Sequence, residues 1–174
     1  MVEPPESAEP AESAGPPESA EPTGSPGPVA LPAGLAEEML EHAHREAPDE
    51  ACGIVAGETP WSDGGQALRF YPTKNAERSP YRYLIDPEQQ LRVMLEIDDR
   101  DEVVWGIFHS HTHTPAEPSV TDRRLAFYPG ALYLIGSLMD PVTPHIRAWA
   151  IDGSEVREVE LAVADGDRRG SSAD

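Results

Sequence analysis

The sequence predicts a single α/β domain, a mixed, curved β-sheet flanked by about three helices. Helical signals occur over residues 31–46, after Asp86 and from Ser119. Apolar or alternating β-prone runs lie between and beyond them, at 51–57, 66–71, 103–108, 131–139, 145–151 and 156–163. Strands interleaved with helices in this way belong to a layered α/β architecture. Roughly 135 residues remain once the polar ends are set aside, enough for one hydrophobic core.

The elements follow in chain order. Residues 1–28 are low complexity, with Pro-Pro-Glu-Ser-Ala-Glu-Pro at 4–10 and again at 16–22. Met1 and Val2 are the only larger apolar side chains there, and six glutamates face no Lys or Arg. Such a stretch cannot bury enough surface to offset its ordering entropy, so a disordered tail is expected. The same holds for 165–174, rich in Gly, Ser, Asp and Arg, which leaves 29–164 as the domain. Over 31–46, Leu35, Met39 and Ala43 recur at helical spacing, Leu40 widens the stripe, and Pro48 ends the helix. His42 and His44 sit two apart on it and read as solvated.

Pro48-Asp49-Glu50 then turns into a strand over 51–57, where Cys52 reads as a small core residue and Gly53 and Gly57 permit close backbone approach. A loop around Trp61 leads to the strand at 66–71, and residues 81–85 read as a further strand. Asp86-Pro87-Glu88-Gln89 opens a helix with Asp as N-cap, Pro at the first position and Gln at the third. Leu91, Met94 and Leu95 would be its buried face. The acidic stretch 98–102 delivers the chain to Val103, Val104, Trp105, Ile107 and Phe108, the central strand. A helix at 119–127 is stopped by Pro129-Gly130, and three strands separated by turns at Asp140-Pro141 and Gly153 complete the domain.

Composition narrows the function. The 174 residues carry 32 acidic and 13 basic side chains, a formal net charge of −19. No basic stripe exists to neutralise phosphates, which argues against nucleic acid and, equally, against an anionic membrane. No apolar run reaches the roughly 18 residues of a spanning helix, and the N-terminal segment has no signal-peptide pattern. One cysteine cannot form an internal disulfide, so a reducing cytoplasm is the expected compartment.

The chemistry concentrates where the central strand ends. His109 and His111 flank Ser110, and side chains two apart on a strand project from one face. Asp122 follows eleven residues later. Two histidines and a carboxylate make a three-ligand set with an open fourth position, the catalytic arrangement of Zn2+. Ser119-Val120-Thr121-Asp122 also reads as a capping box with Asp in place of Glu, in which Ser119 merely caps the helix and Asp122 favours its positive end. His113 could replace a ligand if the strand ran on, but Pro115 argues that it has ended, leaving His113 near the site or facing substrate. His145 reads as a strand-surface residue. Other H-x-H enzymes fit less well. The metallo-β-lactamase pattern wants Asp at the position of His113, the (β/α)₈ amidohydrolases need near 250 residues, and H-E-x-x-H is absent.

His109-Ser110-His111, with Ser119 and Asp122 at this spacing, resembles the signature of the JAMM/MPN+ (Mov34/PAD-1) zinc metalloproteases. Pro48-Asp49-Glu50-Ala51-Cys52-Gly53 is similar to the P-x-E-x-C-G segment of the bacterial, Mec-like branch. The resemblance covers roughly 31–163 and implies a JAMM-type domain. It implies His109, His111 and Asp122 as metal ligands, Glu50 as general acid/base and Ser119 as donor to the oxyanion. It also implies a substrate, the amide at the C-terminal glycine of a ubiquitin-like or ThiS-like sulfur-carrier protein, with cysteine released. An isopeptidase freeing ubiquitin-like modifiers from lysine shares all of this chemistry and differs in the leaving amine. A non-catalytic MPN binding module is the third reading, disfavoured because such relatives usually lack a ligand.

Overall fold

The computed structural model describes residues 27–164, so the tails expected at 1–28 and 165–174 lie outside it apart from Gly27 and Pro28. The chain runs β1 (Val29–Pro32), α1 (Ala33–Glu46), β2 (Cys52–Gly57), β3 (Ala67–Thr73), α2 (Pro87–Asp99), β4 (Val103–His111), α3 (Val120–Arg124), β5 (Leu132–Ser137), β6 (His145–Asp152), β7 (Glu155–Val159) and β8 (Leu161–Ala164). Six strands form one sheet in the order β3-β2-β4-β5-β6-β7. Only β4 and β5 run parallel within it, so the sheet is mixed as expected.

The central strands are apolar because both faces of the sheet are covered. On one face α1 packs Met39 and Ala43 against Val55, Phe108 and Leu134. On the other, Val93 and Ile97 of α2 pack with Ile54, Ile107 and Tyr133. The register of β2 against β4 slips at Val55/Ala56, and of β2 against β3 at Ala56/Gly57. Such bulges bend and twist a sheet and account for its curvature here. Gly53 is required by contact: a Cβ there would lie 2.4 Å from the Phe70 ring.

Several expectations need correction. Residues 81–85 do not form a strand. Only Ile85 bridges, to Asn75; the Asn75 side chain takes up the Arg82 carbonyl and the Leu84 amide, the Ala76 amide donates to Leu84 O, and the Tyr81 amide to Ser79 Oγ, so the segment is satisfied locally. The inward stripe of α2 is Val93 and Ile97, with Met94 half-buried, while Leu91 and Leu95 stand 61% and 57% exposed. Both stripes have i, i+4 spacing, so spacing alone cannot choose between them. Helix α3 stops at Arg124 instead of reaching 127. The run 156–163 is two strands, parted at Glu160, where the chain leaves the large sheet and β8 pairs in parallel with the unforeseen β1. His42 is buried, not solvated, and its Nε2 lies 3.1 Å from the Cys52 carbonyl. The other expectations for α2 held: Asp86 accepts from the Glu88 and Gln89 amides and Pro87 takes the first position.

Candidate metal centre

The site is assembled at the C-terminal end of β4. Past the bulge, Ile107, His109 and His111 alternate onto the face covered by α2. Their carrier strand is held on both sides: Cys52 stands opposite His109 on β2 and Ile135 on β5. Ser110 points the other way and its Oγ accepts the Ala51 amide at 2.8 Å, while the Ser110 amide donates to the Ala51 carbonyl at 3.0 Å. This pair joins the end of β4 to the residue next to Glu50.

The loop from β4 to α3 hangs by its carbonyls. Ser137 Oγ donates to Thr114 O at 2.8 Å, Trp149 Nε1 to Ala116 O at 2.9 Å and Arg123 Nε to Pro118 O at 3.3 Å. His111 Nδ1 lies 2.8 Å from Pro115 O, an acceptor only, so Nδ1 carries the proton and the Nε2 lone pair faces the site. The loop ends in the capping box. Ser119 Oγ accepts the Asp122 amide at 3.1 Å, and the Ser119 amide donates to Asp122 Oδ2 at 2.6 Å. The capping and site readings of Asp122 therefore do not compete, because the same carboxylate also faces both histidines.

His109 Nε2 and His111 Nε2 are 3.2 Å apart, Asp122 Oδ1 is 3.5 Å from His109 Nε2, and Asp122 Oδ2 is 3.4 Å from His111 Nε2. Ligands about 2.0–2.1 Å from a tetrahedral ion sit about 3.3–3.4 Å from one another. The two Nε2 atoms stand near that spacing, each carboxylate oxygen approaches a different imidazole, and one ligand atom from each of the three residues lies within 4.8 Å of the other two. All three residues are buried. Burial pushes His109 below the ordinary histidine range. Burial acts the same way on His111, but the Asp122 carboxylate, the Pro115 carbonyl and the charge of Glu50 outweigh it and raise this residue. Burial acts against ionised Asp122, yet the two imidazoles beside it and the Ser119 amide hold it well below the carboxylate range. His113, just past the strand end, is exposed and outside the donor set, and His145 is exposed at the start of β6.

Glu50 is buried, and its Oε2 has no hydrogen-bond partner among the described residues. Loss of solvent pushes its carboxyl from 4.5 up to about 7, moderated by His111 and reinforced by Asp122. Cys52 is a buried core thiol pushed up to about 11 by burial. Sequence reasoning missed Tyr83, whose ring stacks on His109 with centroids 4.3 Å apart and planes at 20°. Tyr83 also lines an apolar cleft of about 80 Å³ with Ile107, Leu125, Phe127 and Tyr133. Asn75 loosely matches an Asn that the resembled family often has after this strand, and sequence reasoning gives it no role, although Asn beside a turn is a known signal of side-chain to backbone bonding.

A buried His-His-Asp donor set at a strand end, on a mixed sheet between helices, is the candidate metal centre of this domain. A family model described as prokaryotic homologs of the JAB domain matches residues 32–152, and the chain belongs to that family. A CysO-cysteine peptidase of Mycobacterium tuberculosis is 40% identical over 137 residues, 79% of this chain and 92% of the relative. A desampylase of Haloferax volcanii is 34% identical over 140 residues, 78% of this chain and 96% of the relative. A solution structure of a Desulfitobacterium hafniense protein superposes with TM-score 0.70 at 38% identity, covering 78% of this chain and 92% of that one. The fold is also that of a JAB1/MPN domain protein from Archaeoglobus fulgidus, TM-score 0.52 at 20% identity, over 78% of this chain and 99% of that one.

Proposed function

We propose that this chain is a zinc-dependent peptidase acting on the amide at the C-terminal glycine of a ubiquitin-like, ThiS-like sulfur-carrier protein and releasing cysteine. The observation that carries the reading is the convergence of His109, His111 and Asp122, one ligand atom of each within 4.8 Å of the others, beside a buried carboxyl pushed up to about 7. The three residues would hold the ion. Zinc bound there would act as a Lewis acid and acidify water to a pKa of about 7. Glu50, matched to neutral pH, takes a proton and returns it to the departing amine. Ser119 uses a lone pair for its cap, which leaves the hydroxyl proton for a developing oxyanion. The single, buried Cys52 suits a reducing cytoplasm.

The relative named CysO-cysteine peptidase supports cysteine as the leaving amine. Those named desampylase, and a Thermus thermophilus probable TtuB-protein conjugate cleaving protease, support a second reading in which the leaving amine is a lysine side chain. Intact mass spectrometry of a ThiS-like carrier bearing a C-terminal cysteine, with and without a chelator, tests both. Loss of one cysteinyl mass, blocked by the chelator, is expected. An unchanged carrier, with a lysine-linked conjugate cleaved instead, would replace the first reading by the second.

A further inference from the structure

Asn75 has all four hydrogen-bonding positions of its side-chain amide engaged. Nδ2 donates to the carbonyls of Glu50 at 3.0 Å and Arg82 at 2.9 Å, and Oδ1 accepts from the Glu77 and Leu84 amides at 3.0 Å each. Arg82 and Leu84 are the two neighbours of Tyr83. One buried amide therefore brackets Tyr83 from both sides and ties that bracket to the backbone of the residue bearing the buried carboxyl.

The two histidines are supported unequally. His111 Nδ1 is anchored on Pro115 O, whereas His109 Nδ1 is buried with no partner among the described residues. A ligating imidazole is ordinarily oriented through its second nitrogen. His109 lacks that restraint; His111 and Asp122 meet its Nε2, and the face of its ring is covered by Tyr83, nearly parallel at 4.3 Å. A stacked ring resists tilting of its neighbour much as a hydrogen bond resists rotation.

We propose that Asn75 and Tyr83 together act as a positioning device for the metal centre: the Asn75 amide fixes the backbone on either side of Tyr83, and the Tyr83 ring holds His109 in the orientation its unpartnered Nδ1 leaves free. The proposal rests on His109 being a metal ligand. It makes Tyr83 and Asn75 positioning residues, since both act through His109 and the Glu50 backbone.

The test compares Tyr83→Phe, Tyr83→Leu and Asn75→Asp in the full chain. Zinc affinity is read by competition with a chromophoric chelator, and site geometry by the visible absorption of bound Co2+. In metal-free protein, long-range 1H–15N spectra of the His109 ring report its orientation directly. Tyr83→Phe keeps the stack and should bind within about twofold of wild type, whereas Tyr83→Leu and Asn75→Asp should lose about 10–100-fold in affinity. The latter two should also shift the Co2+ bands and move the His109 ring signals in metal-free protein. Should Asn75→Asp fail to fold, the two Tyr83 variants decide. Tight wild-type binding that Tyr83→Leu leaves unchanged, with unmoved His109 signals, overturns the proposal alone. A wild-type chain that binds neither zinc nor cobalt overturns the ligand reading and the proposal with it.

Discussion

Glu50→Gln in the metal-free chain should make the protein more stable at pH 8 and leave it unchanged at pH 4. The buried carboxyl titrates at about 7 in the fold against an ordinary 4.5. A carboxyl whose folded value is raised binds its proton more tightly in the folded state. Its ionisation therefore costs stability, by nothing below pH 4.5, by a growing amount between 4.5 and about 7, and in full above. At about 1.36 kcal/mol per pH unit the full penalty is on the order of 3 kcal/mol, a ceiling because a compact denatured state shares some of the burial. Glutamine keeps the shape and cannot ionise, so it removes the penalty. Urea unfolding with a chelator present, at pH 4, 6 and 8, would show the two curves diverging as pH rises. Parallel curves, or a Gln variant weaker at pH 8, would refute the claim that desolvation governs Glu50. In the metal-loaded enzyme the same substitution should retain zinc by mass spectrometry and abolish carrier cleavage.

Asp122→Ala removes one of three donors and should lower zinc occupancy at least tenfold by the order of effect seen even for supporting residues, measured as metal content after dialysis. Ser119→Ala should cost about 0.5–2 kcal/mol of stability from the lost cap, and carrier turnover should fall beyond what that explains if the hydroxyl also meets substrate. Ser110→Ala strands the buried Ala51 amide and should cost about 1–3 kcal/mol by chemical denaturation. Leu95→Lys should stay within about 0.5 kcal/mol of wild type, while Ile97→Ala should lose about 2–5 kcal/mol, a contrast that checks which stripe of α2 is buried.

The parts of this protein legible in its sequence are those where a local pattern and the global fold agree. Asp86-Pro87 opens α2 as its chemistry demands, and the apolar runs at β2, β4 and β5 form the covered centre of the sheet. His109, His111 and Asp122 converge as their spacing suggested, because a strand end, a pinned loop and a capping box each have sequence signals. What escaped was decided by tertiary packing. Leu91-Leu95 and Val93-Ile97 are equivalent on a helical wheel, and only the position of the sheet distinguishes them. His42 looked solvated because nothing nearby in sequence announces that the Cys52 carbonyl will face it. Residues 81–85 have strand composition, but a side-chain amide supplies bonds a neighbouring strand would have made. Tyr83 lies in that segment, so the aromatic partner of His109 was hidden with it.

The short pair β1–β8 bears on how the chain is made. Val29 finds its partner at Leu161 and Pro32 at Ala164, across nearly the whole described length. Among the described strands β1 is synthesised first, yet its ladder can form only once β8 has been made. Leu31, fully buried beside α1, must meanwhile pack without that ladder. Closing so long a loop is slow because its entropy is lost before any contact is gained. Among the described strands, the six of the large sheet, β2 through β7, can therefore pair before β1 and β8 join, and the ladder between those two should form late in folding.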